Sequence, residues 1–182
     1  MIDSLSKVQP LKPQKRAAAV NICFCGNTSS SSMLILTKRA EKMRSHSGQI
    51  SFPGGMIENH DSSVYEAALR ETSEEIGIPL VAHELIGFLP EGSGPSGLVV
   101  YPVVTRLASI PDFVLNEEEV SEVLVVPVED LMRDKAERSN FILFGQPQET
   151  ILFRHKEHSI WGFTAQLIFE MNLRGREFSE GI

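Results

Sequence analysis

The stretch Gly54 to Ile78, GGMIENHDSSVYEAALRETSEEIGI, decides how this chain is read. Its second half carries the best helix signal in the sequence. Asp61, Ser62 and Ser63 offer N-caps, and Ser63 with Glu66 fits a capping box, in which hydroxyl and carboxylate each satisfy a backbone N–H left open at the helix start. Gly77 suits the left-handed conformation that ends helices, and Pro79 cannot continue one. A helix is therefore expected over Ser63–Ile76. At about 100° per residue, Tyr65, Leu69 and Ile76 share one face, the natural core face. Glu71, Glu74 and Glu75 share a second face, and Glu66, Arg70 and Ser73 a third.

Carboxylates gathered at such spacing repel, each like-charged pair costing a few tenths, ~0.3 kcal/mol. They also sit near the helix C-terminus, where the macrodipole disfavours negative charge. The pattern is poor for helix stability and good for a hard divalent cation, so Mg²⁺ or Mn²⁺ is expected. Mg²⁺ leaves coordination positions to water and substrate phosphates, which points to a phosphate-bearing substrate. A solvated acidic face is the plainer reading of an isolated cluster. The Pro53-Gly54-Gly55 turn upstream, Arg70 beside Glu71 and the terminating Gly77 weigh against it.

Upstream, Ala17–Phe24 and Met33–Thr37 read as strands joined by a Ser-rich loop, and Ser51–Gly55 as a short strand ending in a turn. Downstream, Leu85–Leu89, Leu98–Leu107 and Val120–Val126 read as strands. Pro127 opens a short helix to about Arg133. Phe141–Phe144 with Thr150–Phe153 suggests a further hairpin or a ragged edge, and Phe163–Leu173 a closing helix. Strands and helices mix without strict alternation, which favours an α+β domain over a doubly wound one. Neither GxGxxG after a strand nor GxxxxGK[ST] occurs, so Rossmann and P-loop readings have no support.

The 182 residues suit one domain, with 42% hydrophobic and 23% charged residues, enough for a real core and against disorder throughout. Residues 1–16 read as a flexible tail, 17–173 as the domain and 174–182 as a second tail. With 17 basic against 24 acidic residues the net charge is −7, which argues against a nucleic-acid coat but leaves room for a local phosphate site. Cys23 and Cys25 point to the same side of a strand and read as small buried side chains in a reducing compartment. No window reaches the ~18 apolar residues of a membrane span. No secretory h-region precedes Ala17, so a cytoplasmic protein is expected.

The run Arg70-Glu71-Thr72-Ser73-Glu74-Glu75-Ile76-Gly77-Ile78 resembles the second half of the Nudix box, R-E-U-x-E-E-x-G-U, where U is bulky and apolar. Thr72 is a weak U. Gly55 matches the opening glycine of the box, but Asp61 stands where a Glu is usual, and one residue is inserted before Arg70. The preceding segment, LTKRAEKMRSHSGQISFPGG from Leu36 to Gly55, resembles the coenzyme A pyrophosphatase branch of the family. Leu36, Thr37, Arg39, Ala40, Arg44, His46, Gly48 and Phe52–Gly55 carry the match, and that branch tolerates the inserted residue. Looser matches are Tyr101–Val104, Glu119-Val120 with Pro127, and Ile160–Ala165.

The resemblance implies a Nudix fold, a mixed β-sheet sandwiched between helices (α/β/α). It implies hydrolysis of a nucleoside diphosphate-linked substrate, with coenzyme A or an acyl-CoA giving 3′,5′-ADP and 4′-phosphopantetheine. The alternatives are another dinucleotide or an ADP-ribose-type substrate, or a non-catalytic Nudix-fold nucleotide-binding module. Glu71, Glu74, Glu75 and the Gly55 carbonyl would hold Mg²⁺ or Mn²⁺. Glu74 would act as base, with Glu119 the alternative, and Arg70 would orient Glu71. Lys38, Arg39, Lys42, Arg44 and His46 place five basic or potentially basic residues within nine positions, and Arg39, Arg44 and His46 would bind the substrate. The implied partner is a small coenzyme A-like nucleotide, with no nucleic acid and no membrane; a homodimer is an option the family allows. His60, His83, His155 and His158 show no paired metal spacing and receive no role.

Overall fold

The computed structural model describes residues 5–10, 13, 16–26, 32–42, 48–94, 97–143 and 146–179. Its strands are β1 (Ala17–Cys25), β2 (Met33–Arg39), β3 (Ile50–Ser51), β4 (Gly54–Met56), β5 (Glu84–Phe88), β6 (Gly92–Ser93), β7 (Val99–Leu107), β8 (Val120–Pro127), β9 (Glu137–Leu143), β10 (Gln146–His155) and β11 (His158–Trp161). Two α-helices, α1 (Val64–Ile76) and α2 (Gly162–Ser179), complete it. The main sheet runs β3-β2-β1-β7-β5, with β4 paired to β1, β6 to β7 and β8 to β2. β1 and β7 are parallel, while its other pairs are antiparallel. A second, antiparallel sheet has the order β11-β10-β9.

Period-two alternation in β1 assigns the layers. Ala19, Cys23 and Cys25 face α1, packing with Val64, Ala67, Ala68 and Ile76. Ile22 faces the other way, into the larger core made with Leu34 and Leu36 of β2, Phe52 of the turn after β3, Phe153 and Ile160 of the second sheet and Ile168 of α2. The mixed sheet is thus layered between helices, as expected. Burying apolar surface on both faces at ~25 cal/mol per Å² holds the layers together.

Several local expectations change. The helix foreseen after Pro127 is two 3₁₀ turns, Val128–Leu131 and Arg133–Lys135, since these short polar runs have no apolar stripe to extend. The hairpin is longer than its apolar runs, and the strand β11 follows it. The closing helix continues past Leu173 to Ser179, into the segment read as a tail. In the N-terminal segment, Ser6 pairs with Phe88 at the edge of β5, through N–H···O contacts of 3.2 and 2.9 Å. That segment therefore touches the sheet edge through one isolated bridge.

Candidate active site

β1 meets β2 only at Phe24–Leu34 and Cys25–Met33, and meets β4 at Ala18–Val20. The strands diverge between these points, and the Phe52–Gly54 turn crosses the gap, its Pro53 carbonyl accepting from the Asn21 N–H at 2.8 Å. Gly54 has φ 150, and a Cβ there would run into the Ala19 carbonyl, so only glycine fits. α1 begins at Ser63, whose hydroxyl accepts from the Glu66 N–H at 3.0 Å. The return bond of the capping box is displaced by one residue, with Glu66 accepting from the Ser62 N–H at 2.7 Å. Gly77, at φ 75, closes the helix with its N–H on the Ser73 carbonyl at 3.0 Å.

The helix carries its glutamates to that glycine turn. Glu75 is only 4% exposed and accepts from the Gly54 N–H at 3.2 Å. A Cβ on Gly55 would lie 2.5 Å from Glu71 Oε2, so the bare glycine is what lets the Glu71 carboxylate sit against the backbone. The residues after α1 fold back along its end, with the Asn116 N–H donating to the Glu75 carbonyl at 3.0 Å. This brings Glu119 close enough to repel both Glu71 and Glu75. Its carboxylate accepts from Asn116 Nδ2 at 3.1 Å. Arg39, at the end of β2, is held beside Glu119 through the Ala40 N–H on the Glu119 carbonyl at 2.8 Å. Arg39 also lies within electrostatic reach of Glu75, and its buried Nε has no hydrogen-bond partner among the described residues. Arg44 and His46, expected to bind substrate, lie outside the described residues.

The charges in this cluster oppose one another. Burial pushes Glu75 up to about 8; the Gly54 amide and Arg39 pull it down, while Glu71 and Glu119 push it further up. Burial also raises Glu71, against the pull of Arg70. Arg70 donates to Glu74 at 2.8 Å, lies 3.1 Å from Glu71, and donates to the Met56 carbonyl at 3.0 Å. Glu74 is 54% exposed, its Oε2 on that guanidinium.

Asp61, the departure from the usual box, is buried and accepts from Arg70 Nε at 2.9 Å and Nη2 at 3.1 Å. Burial raises its pKa, but Arg70 and the Glu58 N–H outweigh this and leave the carboxyl below its ordinary value. The sequence offers Asp61 only as an N-cap; lying outside the helix, it has no periodicity linking it to Arg70.

These donors suit a divalent cation. Buried carboxylates with raised pKa values gain from a nearby positive charge, hard oxygen is the right donor chemistry, and the missing Cβ of Gly55 leaves the backbone open beside Glu71. Among the described residues no three acidic, histidine or cysteine side chains already converge on one ion-sized point. Glu71, Glu75 and Glu119 are neighbours, while Glu74 is turned toward Arg70.

A mixed sheet between helices, with glutamates of one helix gathered behind a glycine turn, sets the class of fold. The family model described as NUDIX domain matches residues 15–144. The uncharacterized Nudix hydrolase NudL of Enterobacter sp. (strain 638) is 35% identical over 180 residues, covering 94% of this chain and 93% of the relative. Among solved structures, a MutT/nudix family protein from Enterococcus faecalis superposes with TM-score 0.57 at 18% identity, covering 94% of this chain and 66% of that one. A C. elegans Ap4A hydrolase superposes with TM-score 0.56 at 14% identity, covering 91% of this chain and 99% of that one. The chain belongs to the Nudix family. Among the described residues no helix is long and apolar enough to cross a membrane.

Proposed function

We propose that this Nudix hydrolase cleaves the diphosphate of coenzyme A or an acyl-CoA, giving 3′,5′-ADP and (acyl-)4′-phosphopantetheine. The observation that carries the reading is Arg39. It belongs to the basic segment that resembles the coenzyme A branch, and its buried Nε, within electrostatic reach of Glu75, lacks a hydrogen-bond partner among the described residues. A guanidinium held there suits a phosphate group of the substrate. Arg44 and His46, seven residues or fewer further on, would supply the remaining donors.

Mg²⁺ or Mn²⁺ would be held by Glu71, Glu74, Glu75 and the Gly55 carbonyl, with Glu74 exchanging Arg70 for the ion. The ion would neutralise diphosphate oxygens and acidify the attacking water. The chain's own residues do the rest. The Gly54 N–H orients Glu75, and Arg70, fixed by Asp61, orients Glu71. Glu74 takes the proton from water; Glu119 is the alternative base, favoured by its closeness to both Glu71 and Glu75. Action in the cytoplasm as a single domain, free of nucleic acid and membrane, fits this chemistry, and a homodimer is compatible with it.

Product analysis by mass spectrometry tests the assignment. The protein is incubated with Mg²⁺ or Mn²⁺ and, separately, coenzyme A, dephospho-coenzyme A, NADH and ADP-ribose. The expected outcome is 3′,5′-ADP and phosphopantetheine, with slower turnover of the dephospho form. Cleavage of NADH or ADP-ribose alone removes the coenzyme A reading and keeps the hydrolase. No turnover of any of the four removes the catalytic reading for these substrates.

A further inference from the structure

Thr72 stands on α1 between Glu71 and Glu75, where the Nudix box has a bulky apolar residue. It is fully buried, and its hydroxyl donates to the Ala68 carbonyl at 2.7 Å. The same oxygen accepts from Asn21 Nδ2 at 3.1 Å. Asn21 is equally buried, and its Oδ1 accepts from the Thr105 hydroxyl at 2.7 Å. That contact commits the Thr105 proton, so His83 Nδ1, at 3.1 Å, must be the donor to Thr105 Oγ1. The other His83 nitrogen, Nε2, is buried without a partner among the described residues. Four side chains, from the residue preceding β5 and from β7, β1 and α1, therefore form a chain with one direction of donation, from His83 to Thr105, Asn21, Thr72 and the helix backbone.

Asn21 is the junction. Its side chain holds Thr72, and its main-chain N–H holds the Pro53 carbonyl at 2.8 Å. Pro53 precedes Gly54 and Gly55, the residues against which Glu75 and Glu71 rest. Apolar packing under α1 is non-directional and tolerates small rotations of the helix, whereas hydrogen bonds fix angle as well as distance. We propose that Asn21 and Thr72 are positioning residues that lock α1 in rotation against the glycine turn, and so set where Glu71 and Glu75 stand relative to the Gly55 carbonyl. The proposal rests on the metal set given above, and it assigns a use to the polar residue that replaces an apolar one in the box.

The test is Mn²⁺ binding, followed by loss of the free-ion EPR signal, together with kcat and KM. Wild type binding Mn²⁺ and Glu75→Gln failing to bind it establishes the metal set by itself. Thr72→Val keeps the shape and removes the hydroxyl. It is expected to weaken Mn²⁺ binding by about tenfold or more and to lower kcat with KM little changed, as loss of an outer-shell partner does. Thr72→Ser, which restores the hydroxyl, should return the affinity to within about threefold of wild type. Ile168→Val, in the core on the other side of the sheet, controls for lost stability and should bind normally. Should Thr72→Val fail to fold, Thr105→Val unpairs Asn21 Oδ1 from a distance and should weaken Mn²⁺ in the same direction. A folded Thr72→Val or Thr105→Val protein that binds Mn²⁺ within about twofold of wild type overturns the proposal. Normal binding by Glu75→Gln overturns the metal set instead, and the positioning role with it.

Discussion

Asp61 grips Arg70 with both carboxylate oxygens, at 2.9 Å to Nε and 3.1 Å to Nη2, while the side chain of Asp61 is wholly buried. The same guanidinium reaches Glu71, Glu74 and the Met56 carbonyl, so one pair ties the loop before the helix to the acidic face. Removing Asp61 leaves a largely buried cation short of its main partner. Asp61→Ala should destabilise the fold by about 1.5–3 kcal/mol, the range for hydrogen bonds to charged groups. Urea unfolding measures this, and Asp61→Ala with Arg70→Ala should cost less than the two single changes added.

Glu75 links stability to function with opposite signs. Its pKa in the fold is about 8, above the ordinary 4.5, so its favourable contribution is complete below 4.5 and is lost as pH rises through 8. Metal-free Glu75→Gln protein should therefore melt higher than wild type at pH 8.5, and the difference should shrink toward pH 4.5. The same variant should have no measurable turnover. Equal melting temperatures at both pH values would contradict the buried, raised carboxyl.

Because Glu75 must lose its proton to hold a cation, Mn²⁺ affinity in wild type should rise between pH 6 and 9 and level off above the pKa of about 8. A titration series at fixed ionic strength reads this directly. A flat profile would place the binding elsewhere.

Gly55→Ala puts a methyl 2.5 Å from Glu71 Oε2. The carboxylate must move, whereas the backbone at Gly55 carries no left-handed strain. Expected is a fall in kcat/KM of about a hundredfold with far-UV circular dichroism unchanged, the scale on which misplacing a reacting group by ~1 Å acts.

His83 gives an acid limb of its own. Burial pushes its pKa down to about 4 from the ordinary 6.5. The unfolded chain then takes up a proton before the folded one does, so stability falls as pH drops from 6.5 to 4. Protonation would also place an N–H at Nε2, which has no hydrogen-bond partner among the described residues. His83→Gln should flatten the melting temperature across that window. Asp61, held below 3.8, releases its share only at lower pH.

Much of the site was legible because its signals are local. Ser63 and Gly77 bracket α1 by capping chemistry alone, and the spacing of Glu71, Glu74 and Glu75 follows from helical pitch. The long-range parts were not. Asn21 and Thr105 read only as members of apolar strands. The available clue was a polar residue on the same face as Cys23 and Cys25, where burial demands a partner. The closeness of Glu119 to Glu71 and Glu75 comes only from the return of the chain along the end of α1, which no local pattern shows. β9 and β10 outran their apolar runs because cross-strand pairs hold the exposed side, Arg138 with Glu149 at 3.1 Å and Arg154 with Glu137 at 3.1 Å. β11 offered only four residues, two of them polar, too few to show alternation.

The buried hydroxyl of Thr164, near the start of α2, donates to the Ile50 carbonyl at 3.1 Å. Ile50 opens the segment that leads through Pro53 to the glycine turn. In a chain emerging from the ribosome, Glu71, Glu75 and Glu119 are all synthesised before Thr164 exists. The acidic residues are therefore made first, and the hydroxyl that braces the segment leading to their glycine turn is made after them.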